Sequence, residues 1–231
     1  MTDGSVPPWL PGALELADVR RKDRVLLVHP HGARVVRAVE QLAGTAGSLT
    51  VVAPDEAQSV AMAQALEGST ARIGHQFFHG HETYGTFDVA IVCPTTMFEG
   101  TLRGLAQCLR GNLRPGGRFV VDLPSESPPP FLAGAMQALH WDEARQQAFH
   151  GPSEEQLATA LREAGLRRVE PALTANLLRI ASTHDLAELW GTPLGFDSRR
   201  SLAFGTALAS QLRSLGDTEV LVHRTRVHGI R

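Results

Sequence analysis

Two histidines, His29 and His31, stand one residue apart directly behind an apolar run in the segment VLLVHPHGARVVRAV. Imidazoles at that spacing suit metal binding, because alternate residues of extended backbone face one way and neutral imidazole is a good ligand for zinc or a related ion. Five of the ten histidines, His29, His31, His75, His79 and His81, fall in the first third of the chain. His29, His31, His79 and His81 could form a metal site at a sheet edge; solvated loop histidines are the alternative. Further along, His140 and His150 lie in a segment expected to overhang a pocket, where either could act as a general base. Cys93 and Cys108 show no metal-type spacing and read as buried apolar fillers.

These residues are carried on a clear alternation of elements. Leu10, Leu14, Leu16 and Val19 have the spacing of a short amphipathic helix, approached through Pro7, Pro8 and Pro11. Trp9 beside it either closes over a pocket or packs against the helix edge. Val25 to Val28 is continuously apolar, as a parallel strand covered on both faces must be, and helical spacing follows from Ala33 to Leu42. A second strand spans Leu49 to Ala53, and Asp55 and Glu56 suit the positively polarised start of the next helix. Arg72 to Phe78 is a weaker third strand and Asp88 to Cys93 a clear fourth. A helix over Glu99 to Arg110, a turn at Pro115, Gly116 and Gly117, and a strand over Arg118 to Leu123 complete the repeat. Pro152 and Ser153 open a helix to Ala164, and a short strand covers Leu166 to Val169. Two helical stretches, His184 to Trp190 and Ser198 to Leu215, precede a final strand, Glu219 to Ile230. Its histidines and arginines recur at every second residue, which suggests an exposed edge.

The chain of 231 residues carries 22 basic and 24 acidic residues, a formal net charge of −2. That balance supplies no general field for nucleic acid or an anionic membrane. The start, MTDGSVPPWLPG, has neither a basic region nor a long apolar run. A cytoplasmic location is expected. The natural solution is an α/β fold, a doubly wound and mostly parallel seven-stranded sheet with a small helical cap. One domain spans residues 1–231, with a core of 20–124, 153–180 and 217–231 and cap segments 125–152 and 181–216.

In its ordered motifs the sequence resembles the class I S-adenosylmethionine-dependent methyltransferases, particularly bacterial members acting on small molecules. LELADVRRKDRVLLV is similar to that family's helix, basic linker and first strand; GTFDVAIV to its fourth strand; LRGNLRPGGRFVVDLP to the helix end, turn and fifth strand; PSEEQLATALREAGLRRVE to the next helix and strand. The resemblance implies a Rossmann-like pocket beyond the carboxyl ends of the strands, built from loops 29–33, 53–56, 79–84 and 93–98. It implies S-adenosylmethionine as cofactor, with His29, Pro30, His31, Gly32, Ala53, Pro54, Asp55, His81, Glu82, Cys93, Pro94 and Thr95 around it.

Within that resemblance the loop residues depart from the family pattern. Leu27 stands where the family has an acid, and His29 and His31 take glycine positions of its GxGxG turn. Ala53 stands where a carboxylate holds the ribose, with Asp55 displaced by two residues and able either to reach round or simply to start a helix. His81 falls near an adenine-binding aspartate, with Glu82 beside it. The loop CPTT shares Pro94 alone with the (N/D)PPY motif of amino-group methyltransferases. Two further readings stand beside the metal site: a methyltransferase acting on a small molecule, and a non-catalytic relative that senses a ligand or engages a protein. Leu186, Leu189, Trp190, Leu194 and Phe196 would cap an apolar substrate, form a homodimer seam or pack as core.

Overall fold

A computed structural model describes residues 7–75, 82–97, 100–172, 174–179, 183–191, 196, 198–215 and 219–231. Helix α1 (Leu10–Ala17) precedes β1 (Arg24–Val28), α2 (Ala33–Ala43), β2 (Ser48–Ala53), α3 (Glu56–Ala65) and β3 (Arg72–His75). Then come β4 (Phe87–Val92), α4 (Leu102–Asn112), β5 (Leu113–Pro124), α5 (Pro130–Ala138), α6 (Glu143–Gln147) and α7 (Glu154–Glu163). The chain continues through β6 (Arg167–Ala172), β7 (Ala175–Arg179), α8 (Thr183–Gly191), α9 (Ser198–Leu215) and β8 (Glu219–Ile230).

The strands lie in the order β3-β2-β1-β4-β5-β8-β6, with β7 paired to β8. β1 to β5 are parallel, whereas β8 runs antiparallel to β5, β6 and β7. The eighth strand, beyond the seven expected, has a simple origin. β6 pairs with the second half of β8 and β7 with its first half, so they are one long strand interrupted around Thr174.

Alternation along β1 divides the interior. Leu26 and Val28 face α4 and α7 through Leu105, Leu109, Leu157 and Leu161. Val25 and Leu27 face α1 and α2 through Ala13, Val36 and Val39. A third cluster joins α5, α8 and α9 to Trp9, Leu178 and Val222, with Trp190, Phe131 and Phe204 at its centre. Leu186, Leu189 and Trp190 therefore pack as core; Leu194 lies outside the described residues. Trp9 is buried and packs at 6.4 Å from Trp190, which takes up the packing alternative for that residue.

The last strand corrects a sequence expectation. β8 lies between β5 and β6 rather than at an edge, and Arg224 and Arg226 are buried. Their period of two is real, but the face they share is covered by α1, where Trp9 accepts from Arg226 and Gly12 leaves space for its guanidinium.

Candidate functional site at the carboxyl rim

After β3 the chain crosses back to place β4 on the other side of β1, so the carboxyl ends of β1 and β4 meet. Such a switch point opens a crevice between outgoing loops. The His29 amide donates to the Val52 carbonyl at 2.8 Å and the Cys93 amide to Val28 at 3.2 Å, carrying the ladder one residue past each strand end. The chain then turns with His29 at φ 51° and Gly32 at φ 80°. Left-handed backbone costs a side-chain-bearing residue about 1–2 kcal/mol, so His29 keeps a glycine-type conformation without being glycine. Gly32 caps α2 with no side-chain acceptor.

Across the switch point His31 Nδ1 lies 3.3 Å from Thr95 Oγ1, both residues being buried. Burial pushes the imidazoles of His29 and His31 down to about 4, the Asp55 charge opposing the shift at His29. Both rings are neutral near pH 7. Burial likewise pushes the Cys93 thiol up to about 12, so it is no thiolate nucleophile.

Beneath this pair sits a buried ionic cluster. Asp122 on β5 accepts from Arg224 Nε at 2.6 Å and from Arg226 Nε at 2.6 Å. Arg224 Nη2 also donates to the carbonyls of Pro94 at 2.5 Å and Asp122 at 2.9 Å, and Arg226 Nη2 donates to Trp9 at 2.6 Å. The Arg224 guanidinium lies 4.7 Å from the Trp9 ring centroid. Two cations share one anion, and backbone carbonyls take the remaining donors. Beyond the end of β5, a cavity of about 530 Å³ opens beside this cluster, lined by Ser125, Ser153, Thr174, His223, Arg224 and Thr225 among others.

The structure distributes the sequence candidates unevenly. His29, Pro30, His31, Gly32, Cys93, Pro94 and Thr95 converge at the β1 and β4 ends, and beside them Ala53 ends β2 and Pro54 follows it. Leu27, in the acid position, is fully buried with Val25, Val51 and Ile91, where a leucine contributes about 1.5–3 kcal/mol and an unpaired carboxylate could not remain charged. Asp55 caps α3: its two oxygens accept from the Gln58 amide at 2.7 Å and the Gln58 side chain at 2.9 Å. It is the helix-start residue.

Glu82 is not at the rim. Its carbonyl accepts from Asn112 at the end of α4, and the neighbouring Leu113 pairs with Phe87 at the opposite end of β4. That separates it from the switch point by about 16 Å, five strand rises. His79 and His81 lie outside the described residues, so the four-histidine metal set rests on His29 and His31 alone. His140 is exposed at φ 52° just beyond α5, and His150 Nδ1 meets the Glu126 carbonyl at 3.0 Å. Asp122, Arg224 and Arg226 belong to none of the motifs singled out for the site, although an aspartate inside the apolar run FVVDLP is a signal: a charge in a covered strand demands partners.

No family model matches the sequence, and no curated protein matches it either. Solved structures do. An S-adenosylmethionine-dependent methyltransferase from Mesorhizobium loti superposes with a TM-score of 0.58 at 12% identity, over 97% of this chain and 98% of its own. The chain has the class I methyltransferase fold. The Bacillus subtilis protein YcgJ is similar with a TM-score of 0.63 at 13% identity, over 96% and 97% of the two chains. The cyclase SpnF, with a TM-score of 0.55 at 14% identity over 96% and 79%, is similar too. This fold thus serves more than one chemistry.

Of the features that the resemblance implies for S-adenosylmethionine, the described loops show the backbone turn and not the carboxylates. A left-handed turn after β1 and an α2 amino terminus free of side-chain capping are in place. The acid position of β1 is core leucine, the ribose position is buried Ala53, and Asp55 is engaged with Gln58. The side chains do not fit the cofactor's usual mode of binding.

Proposed function

We propose that this protein acts on a small molecule at the carboxyl rim as an S-adenosylmethionine-dependent methyltransferase whose cofactor is gripped by backbone amides rather than carboxylates. The observation that carries this reading is the near end-to-end match to a methyltransferase of that cofactor class, with the switch-point turn kept. Two missing charge-assisted contacts, each about 1.5–3 kcal/mol, weaken cofactor affinity by roughly 10²–10⁴-fold. A cytoplasmic location and a homodimer belong to the same proposal. For the latter, the exposed cross-strand pair Leu177 and Leu221 supplies an apolar patch, and light scattering reads the mass.

One observation favours a second reading, a non-catalytic relative that senses a ligand or engages a protein. Leu27 is packed in the core, Asp55 caps α3 and His31 meets Thr95, so each serves the fold itself. Thermal-shift and calorimetric titration with S-adenosylmethionine and S-adenosylhomocysteine separates the two. A ligand at 100 times its dissociation constant stabilises the fold by about 2.7 kcal/mol. Absence of any shift or heat at millimolar concentration refutes the methyltransferase reading and leaves the non-catalytic one.

A further inference from the structure

We propose that Arg224, on the last strand, is a positioning residue for the rim: through the Pro94 and Thr95 carbonyls it sets the loop after β4, and through Thr95 it sets His31 in the loop after β1. The proposal rests on the rim as ligand site and adds to it a residue about 130 positions away in sequence from the loop it holds.

The reason lies in unmet hydrogen-bonding needs. The ladder between β4 and β1 ends at the Cys93 amide, and the next described main-chain bond of the loop is from the Met97 amide to Ala148 at 2.7 Å. Pro94 and Thr95 between them are buried, so their carbonyls need donors. Arg224 supplies them: Nη2 reaches Pro94 at 2.5 Å and Nη1 lies 3.5 Å from Thr95, while Nε is held by Asp122. The planar fork presents several donors in fixed directions, with Trp9 against its face. A lysine would keep the charge and the Asp122 attraction but lacks that fork. With the loop so placed, the Thr95 hydroxyl meets His31 at 3.3 Å, and the two walls of the switch-point crevice become one unit.

Arg226 is an internal control. It shares Asp122 with Arg224 and is equally buried, but it donates to the Trp9 carbonyl rather than to either loop. The full-length chain with Arg224→Lys is compared with Arg226→Lys by amide hydrogen exchange and by the ring ¹⁵N signals of His31. Arg224→Lys should accelerate exchange at His31, Gly32, Thr95 and Thr96 by at least about tenfold relative to Arg226→Lys, and displace the His31 ring signals. Equal exchange and unmoved signals in the two variants overturn the proposal. If Arg224→Lys does not fold, Thr95→Val tests the second link, which predicts displaced His31 ring signals; unchanged signals overturn it. Titration of the same proteins with S-adenosylhomocysteine separates the inference from the functional reading. A wild-type protein that ignores both this nucleoside and S-adenosylmethionine refutes the methyltransferase reading while the exchange result still decides the role of Arg224. A wild-type protein that binds, with affinity retained in Arg224→Lys, overturns the positioning role.

Discussion

Arg226 stands directly opposite Asp122 across the antiparallel ladder of β8 and β5, and its Nε meets the Asp122 carboxylate at 2.6 Å. Two residues back along β8, Arg224 takes the other oxygen at the same distance. One carboxylate thus answers two guanidinium groups below the surface. Asp122→Asn keeps the shape and removes the charge, leaving both cations without a counter-ion. The variant should lose about 3–5 kcal/mol of unfolding free energy, read from urea midpoints at constant m. A loss below about 1 kcal/mol would mean that water reaches the cluster.

Gly12 faces the same cluster from α1. A Cβ there would fall 2.6 Å from Arg226 Nη1, a guanidinium already tied to Asp122 and the Trp9 carbonyl and so unable to swing away. On an exposed helix Gly→Ala gains up to about 1 kcal/mol, but Gly12→Ala is expected to cost about 1–3 kcal/mol by overpacking. Chemical denaturation gives the sign directly. A stabilised variant would show that Arg226 is free to move.

His29 and His31 make stability depend on pH. Their folded values of about 4 lie below the ordinary 6.5, so the unfolded chain binds protons in that interval and the native state does not. Stability is therefore complete above about pH 6.5 and falls as pH drops toward 4, by up to about 3 kcal/mol for each ring. Denaturation at pH 7, 5.5 and 4.5 traces the decline, and His31→Asn should remove about half of it. A curve for His31→Asn parallel to the wild type would assign the effect elsewhere.

Asp55 separates capping from ligand binding. Asp55→Ala exposes the start of α3 and should cost about 1 kcal/mol. Under a backbone-held cofactor, affinity for S-adenosylhomocysteine stays unchanged in the same variant. A loss of about tenfold or more, equivalent to 1.4 kcal/mol, would put the carboxylate in the site.

Much of this fold was legible in the residues. Val25 to Val28 read as a covered strand because both faces of a parallel sheet are packed, and β1 does face helices on both sides; Asp88 to Cys93 read as a strand and holds β4. Pro152 and Ser153 marked the start of α7, where the Ser153 side chain accepts from the Gln156 amide, because the unpaired amides of a first turn need such acceptors. Glu219 to Ile230 has the pattern of an edge, yet β8 lies between β5 and β6. A period of two says that alternate residues share a face, and nothing local says whether that face meets water or another element.

The candidate site divides the same way. The amino-acid sequence by itself determined which side chains follow each strand, and hence that His29, His31, Ala53 and Thr95 gather at one rim, with Gly32 as the one glycine of the turn after β1. Tertiary structure decided what those side chains touch: Asp55 turned to Gln58, His31 set against Thr95, Glu82 placed at the far end of β4, and Arg224 spent on Asp122 and the loop after β4. Strand periodicity and helix capping act over a few neighbouring residues, so they are written locally. The partner of a buried charge is chosen by whichever distant segment the topology brings within hydrogen-bond reach, and here that segment lies 102 residues further along the chain.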